Sequence, residues 1–239
     1  MNVNLTIHGQ GKPLVFFHGW GFDSHIWHPL IAKLEKHHQL FLVDLPGFGL
    51  TPSMAWEQFK FSLTRELPNR FALVGWSMGG MFATRLALEE PQIVTHLMNV
   101  TTSPRFIKDI GWPGVDKRIF QAFYQNLTQN PEKGLAQFIK LQLQGQTDVV
   151  VNAHPPALEG LQAGLELLLH WDLRQDLFSL DIPVCYLFGR LDAITPYLTM
   201  SAMGKIYPQF SYILLPRAAH APFLSHPDQF IAELEKFLW

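Results

Sequence analysis

Residues 71–76 form a short apolar run ending in Gly75-Trp76; Ser77 and Met78-Gly79-Gly80 come next, then a helical run stopped by Pro91. No other feature of the chain constrains its fold as strongly. A serine between two glycines, at a strand-to-helix turn, is held in a strained backbone position with its hydroxyl over the edge of a sheet. Side chains at Gly75 or Gly79 would collide with neighbouring backbone, so both positions require glycine. The N-terminus of the following helix favours negative charge developing beside the serine. Alone, Gly-x-Ser-x-Gly is a weak signal. The strand before it and the helix after it give it weight.

The rest of the chain alternates in the same way. Short apolar runs at residues 3–7, 14–17, 40–44, 71–76, 96–100, 184–188 and 212–215 predict strands, most of them apolar throughout, as in a sheet covered on both faces. Helices are expected over 78–90 and 230–238. This pattern predicts an α/β protein with a mainly parallel sheet flanked by helices. Residues 104–176 break the alternation, showing only helical periodicity. One stripe is Ile119, Phe120, Phe123, Tyr124 and Leu127; a second is Leu135, Phe138, Ile139 and Gln142; a third is Leu158, Leu161, Leu165, Leu168 and Leu169. An all-helical insertion between two strands is expected to lie over the strand ends as a cap. This divides the chain into a core of residues 1–103 and 177–239 and a cap of residues 104–176.

A serine hydroxyl needs a base to become nucleophilic, and the base needs a carboxylate to orient it. With a nucleophile on this kind of turn, the partners follow in the order serine, acid, histidine, each after a late strand. Asp192 follows the strand at 184–188, and His220 lies in the small-residue loop after 212–215. Among 11 histidines, His220 alone combines the right order, the right strand and a Pro-terminated loop. Asp44, Asp172 and Asp181 fail on order or position. The candidate triad is therefore Ser77, Asp192 and His220. The backbone N–H of Met78, with that of Trp20 in His18-Gly19-Trp20-Gly21, is expected to bind an oxyanion. His18 is expected to brace its loop rather than serve as a second base.

Composition excludes several other classes. A formal net charge of -2 leaves no polybasic footprint for nucleic acid, and 48% hydrophobic with 16% charged residues is the balance of a globular core. No apolar run approaches a membrane span, and the N-terminus lacks the basic and apolar stretches of a signal peptide. The single cysteine, Cys185, lies in an apolar run and is expected to be an inert buried thiol, which favours the cytoplasm. His37-His38 lacks zinc-site spacing, Gly47-Phe48-Gly49 reads as a turn rather than a dinucleotide fingerprint, and Trp56 and Trp239 are expected to pack.

Four stretches together carry a family resemblance: His18-Gly19-Trp20-Gly21, Asp44-Leu45-Pro46-Gly47-Phe48-Gly49, Gly75-Trp76-Ser77-Met78-Gly79-Gly80 and Ala218-Ala219-His220-Ala221-Pro222-Phe223. With Trp112-Pro113-Gly114, Gly164-Leu165-Glu166 and Asp172-Leu173-Arg174, the chain resembles the carboxylesterases of biotin synthesis. That family removes the methyl ester from pimeloyl-[acyl-carrier protein]. The resemblance implies an α/β-hydrolase fold with an inserted helical cap, no cofactor or metal, and an acyl-carrier protein as partner of a monomer. It places the acyl chain against Phe138, Ile139, Lys140, Leu141 and Gln142, with Trp20, Ser77, Met78 and His220 at the ester end.

An acidic carrier calls for a basic face. Residues 105–140 carry a net charge of +3, whereas 141–176 carry -4, with Val150 and His154 where arginines are expected. Docking is therefore expected to rely on Arg105, Lys108, Lys117, Arg118, Lys133 and Lys140. Because substrate choice lives in the cap, the triad leaves other capped hydrolases open, acting on simple esters, enol lactones or carbon–carbon bonds. A non-catalytic ligand-binding protein on the same fold is the remaining alternative; its mark would be a damaged triad.

Overall fold

The computed structural model describes residues 2–143 and 154–238. Met1, residues 144–153 and Trp239 lie outside the described residues, and with them the expectations for Val150 and Trp239. The described residues form a seven-stranded sheet: β1 (Leu5–His8), β2 (Lys12–Phe17), β3 (His38–Val43), β4 (Phe71–Trp76), β5 (Val94–Val100), β6 (Val184–Gly189) and β7 (Ser211–Leu215). Its order is β1-β3-β2-β4-β5-β6-β7, and only β1 runs antiparallel. The helices are α1 (His28–Leu34), α2 (Trp56–Thr64), α3 (Met78–Glu89), α4 (Lys117–Gln129), α5 (Pro131–Leu143), α6 (Leu158–His170), α7 (Leu198–Ile206), α8 (Pro222–Ser225) and α9 (Pro227–Leu238).

Alternation along each strand builds two cores. Val15, Phe17, Phe41, Val43 and Leu73 point to one face of the sheet, and Leu14, Phe16, Leu40, Leu42 and Val74 to the other. Both faces are therefore buried, which is why the central strands read as continuously apolar. Each fully buried large apolar side chain contributes about 1.5–3 kcal/mol. Because β2 to β7 run parallel, their C-terminal ends share one edge. The loops beginning at His18, Asp44, Ser77, Thr101, Arg190 and Pro216 all leave from that edge, where open α/β sheets bind ligands.

Between β5 and β6 the described chain contains no ladder strand. Residues 104–116 are non-helical, tied by isolated bridges such as Ile107 to Val115 and Arg105 to Asp172, and helix begins only at α4. The second and third stripes pack inward through Leu135 and Phe138 on α5 and Leu161, Leu165 and Leu168 on α6, but Leu158, the first residue of α6, is 37% exposed. Ile119 departs from the first stripe and is 67% exposed, because one residue before Phe120 it lies about 100° round the helix. Trp56 packs against Phe59, Phe82 and Trp171, with its indole N–H donated to Glu89. Cys185 is fully buried, and burial pushes its thiol up to about 12. Among the described residues, no helix is long and apolar enough to cross a membrane.

Helix α6 reaches the strand-end loops through two glycines one turn apart. A Cβ at Gly160 would stand 2.1 Å from the carbonyl oxygen of Gly47, itself in a left-handed turn at φ 81°. Both partners are backbone and neither yields. Gly160→Ala is expected to cost about 2–3 kcal/mol, read as a lowered urea midpoint. An unchanged midpoint would mean that α6 does not rest on that turn.

Candidate active site

Ser77 sits between β4 and α3 at φ 55° and ψ -120°, one of two non-glycine residues with positive φ in the described chain. Such a conformation costs on the order of 1–3 kcal/mol and persists only where its surroundings impose it. Those surroundings are explicit. The Ser77 N–H donates to the Val100 carbonyl at 3.0 Å, and its own carbonyl accepts from the Gly80 N–H at 3.0 Å and the Thr102 hydroxyl at 2.6 Å. A Cβ at Gly75 would lie 2.5 Å from the Gly79 carbonyl oxygen, and one at Gly79 would lie 2.4 Å from that of His18. The turn is thus too tight for side chains at either position.

His220, in the loop after β7, places Nε2 at 2.9 Å from Ser77 Oγ. Its Nδ1 is 2.8 Å from Asp192 Oδ2, in the loop after β6. The other Asp192 oxygen, Oδ1, accepts from the N–H groups of Ile194 at 2.8 Å and Thr195 at 3.0 Å. A carboxylate so placed accepts from Nδ1–H and fixes the tautomer, leaving Nε2 free to accept the serine proton. His220 is fully buried and Ser77 is 8% exposed, so the line is almost dry. The His220 carbonyl accepts from the Trp76 indole N–H at 2.8 Å and the Thr101 hydroxyl at 2.6 Å. Thr195 in turn donates to the Thr101 carbonyl at 3.1 Å. Thr101, Thr102 and Thr195 were not visible as a motif; the available signal was that Thr101-Thr102 directly follows the expected end of a strand.

Trp20 and Met78 are both buried, and the backbone N–H of neither donates to another described residue. Trp20 lies edge-on to Phe123 and Phe138, with its indole N–H given to the Leu161 carbonyl at 2.8 Å. Beside it, an apolar cavity of about 180 Å³ runs between α4, α5, α6 and the loop after Asp192, walled by Phe120, Phe138, Leu141, Leu165 and Ile194. A second cavity of about 110 Å³ borders Met78, Phe82, Gly164 and Trp171. The five consecutive residues 138–142 do not share a direction: Phe138 and Leu141 face the larger cavity. Ile139 packs against the opposite core, Lys140 is exposed, and Gln142 is buried with Nε2 donating to the Trp20 carbonyl. Five residues span more than one helical turn, which forces this spread.

Of the basic residues singled out, Arg105 is committed elsewhere, pairing with Asp172 at 2.9 Å and Asp109 at 3.5 Å in a network shared with Arg174. Lys108, Lys117, Arg118, Lys133 and Lys140 are exposed. No three His, Cys, Asp or Glu side chains among the described residues stand where they would hold a metal ion. His37-His38 contributes instead a contact from His38 Nε2 to Glu235 at 2.8 Å.

His18 braces two loops. Its Nε2 accepts from the Leu45 N–H at 3.0 Å, so Nδ1 carries the proton and donates to the Gly19 carbonyl at 2.8 Å. Burial pushes the His18 pKa below the ordinary histidine value, against the nearby carboxylates of Asp44 and Asp23. Burial also opposes ionisation of Asp44, but the His18 ring and the N–H donors of Leu50 and Ser24 hold its carboxyl below the usual range. Between the folded His18 pKa and about 6.5 the unfolded chain binds the extra proton. Stability contributed by neutral His18 is therefore complete above that window and falls as pH falls through it. Asp44 adds a second loss at lower pH, as pH falls through its own depressed value. Urea midpoints at pH 7.5 and 5.5 are expected to differ less in His18→Gln than in the parent; an equal drop in both would remove His18 as a cause.

Comparison with known proteins follows these features over the whole chain. The alpha/beta hydrolase family matches residues 14–233. A pimeloyl-[acyl-carrier protein] methyl ester esterase of Legionella pneumophila (strain Lens) is 56% identical over 238 residues, covering 100% of both chains. The protein of the same name from Aeromonas hydrophila is 35% identical, again over 100% of both. Among solved structures, a bromoperoxidase from Bacillus anthracis superposes with a TM-score of 0.86 at 23% identity, covering 99% of this chain and 95% of that one, which is a likeness of fold. The chain belongs to the alpha/beta hydrolase family and, within it, to the pimeloyl-[acyl-carrier protein] methyl ester esterases.

Proposed function

We propose that this protein is a serine carboxylesterase that hydrolyses the methyl ester of pimeloyl-[acyl-carrier protein] to the free acid and methanol, in biotin synthesis. The observation that carries the reading is the buried line from Ser77 Oγ through His220 to Asp192, at 2.9 and 2.8 Å, beside an apolar cavity. The full-length likeness to relatives bearing that name supplies the substrate.

The reaction proceeds as two acyl transfers. Ser77 Oγ attacks the ester carbonyl while His220 Nε2 takes its proton, and Asp192 stabilises the imidazolium that results. The N–H groups of Met78 and Trp20 receive the oxyanion. His220 then protonates the departing methanol, and water activated by the same ring releases the acid. Phe138 and Leu141 line the apolar cavity that takes the methylene chain. Residues 104–176 act as the helical cap on a core of 1–103 and 177–239. The one cysteine, buried and with no second cysteine in the chain to pair with, suits the cytoplasm. The acidic carrier docks on the exposed cations of α4 and α5 and of the loop before them, namely Lys108, Lys117, Arg118, Lys133 and Lys140.

Ser77→Ala is expected to abolish methanol release from pimeloyl-carrier methyl ester and to lose rescue of a biotin-requiring strain lacking this step. Undiminished turnover would sink the assignment. Asp192→Asn is expected to lower kcat by about 10³–10⁴-fold with little change in KM, since it favours the wrong imidazole tautomer. Reversing Lys117, Arg118, Lys133 and Lys140 to Glu together is expected to raise KM for the carrier-linked ester at least tenfold and to leave a small soluble ester untouched. An equal effect on both would argue against docking there.

A further inference from the structure

Trp20 is gripped from the helical segment at several points. On α5, the Gln142 side-chain amide donates to the Trp20 carbonyl at 3.3 Å. On α6, the Leu161 carbonyl accepts the indole N–H at 2.8 Å. One turn later, Gly164 lets the ring come so close that a Cβ there would stand 2.6 Å from Trp20 Cδ1 and 3.1 Å from Met78 Sδ. Leu135, two turns before Gln142, packs close to the neighbouring Gly21, whose left-handed φ of 83° favours glycine. The faces of α5 and α6 that carry these residues are thus turned toward the Trp20-Gly21 loop.

Gln142 is an odd residue for packing alone. It is fully buried, and among the described residues its carbonyl oxygen Oε1 has no hydrogen-bond partner. A buried amide with an unpaired oxygen is worse for stability than an apolar side chain of the same shape. What the amide supplies is a hold on one backbone carbonyl. The Trp20 carbonyl lies in the peptide after its Cα and its N–H in the peptide before, so the carbonyl acts together with the ring. Held by Gln142 on one side and by the Leu161 bond and the edge-on contacts with Phe123 and Phe138 on the other, they fix the Cα frame that carries the nitrogen. The residue so constrained is the one whose N–H faces the oxyanion in the mechanism above.

The geometry points to Gln142 as a positioning residue for the oxyanion hole, acting through the Trp20 carbonyl rather than as a wall of the acyl groove. The inference rests on the assignment of Trp20 as an oxyanion donor. It makes the helical segment part of the catalytic geometry as well as a cover for the substrate.

Gln142→Leu keeps the bulk and removes the amide. Its thermal midpoint is expected to equal or exceed that of the parent, because the orphaned oxygen is gone. With p-nitrophenyl acetate, kcat is expected to fall about tenfold, less than the 10²–10³ of deleting a direct donor, with KM within twofold. A trifluoromethyl ketone reports the hole directly. Ser77 Oγ adds to its carbonyl carbon, the serine proton passes to His220, and the carbonyl oxygen becomes the anion; affinity is expected to fall by the same factor as kcat. Trp20→Phe, which removes the indole bond and keeps the backbone N–H, is expected to move kcat and ketone affinity in the same direction. An unchanged kcat in Gln142→Leu, a rise confined to KM, or lost activity with full ketone affinity would each overturn the positioning role. A parent protein that neither turns over the ester nor binds the ketone would overturn the esterase reading and the inference with it.

Discussion

The backbone of Ser77 adopts a conformation that an L-residue avoids, and much of the molecule is arranged so that it has no alternative. Three hydrogen bonds hold its peptide groups, to Val100, Gly80 and Thr102. Gly75 and Gly79 let the turn close against the ends of the neighbouring strands, so the distortion is supported by the sheet rather than by the loop itself. That is why the central strands are buried on both faces: a rigid parallel sheet with one common C-terminal edge is what fixes a strained turn to within hydrogen-bonding tolerance. The same edge delivers Asp192 and His220 from two other strands, and the Trp76 and Thr101 bonds to the His220 carbonyl tie its loop to the ends of β4 and β5.

A second layer depends on close approach rather than strain. Gly160 and Gly164 are the points where α6 comes down on the Gly47 turn and on Trp20, and larger residues there would lift the helix off the strand ends. Gln142 and Leu161 then tie Trp20 to two helices at once. The apolar cavity lies between those helices and the loop after Asp192, so its shape and the placement of Trp20 are governed by the same packing.

Much of this was legible in the sequence because it is local or ordered along the chain. The strands at 71–76 and 184–188, α3 and the final helix announce themselves by apolar runs and by proline stops. Asp192 and His220 are found by order, since each follows a late strand. The helices α1, α2 and α7 were missed: they are seven to nine residues long, and stripes of only two turns do not stand out from loops. Ile119 was misplaced by one position on its helix, and Arg105 was counted among surface cations although its partners Asp109 and Asp172 hold it. Asp172 lies 67 residues further along the chain, beyond the reach of any local pattern.

What the sequence determined by itself is an arrangement at one edge of a sheet: which serine takes the strained turn, and in what order the aspartate and the histidine of its hydrogen-bonded line follow. Those features depend on neighbours within a few residues or on strand sequence, which the chain records directly. Only the tertiary structure decided how the helical segment meets that edge. It separated Phe138 and Leu141, which face the cavity, from Gln142, which holds the Trp20 carbonyl. It also set Thr101, Thr102 and Thr195 to bracing the triad. The physical reason is the same in each case: direction and partnership arise from contacts between residues far apart in the chain, and periodicity carries no information about which distant backbone a side chain will meet.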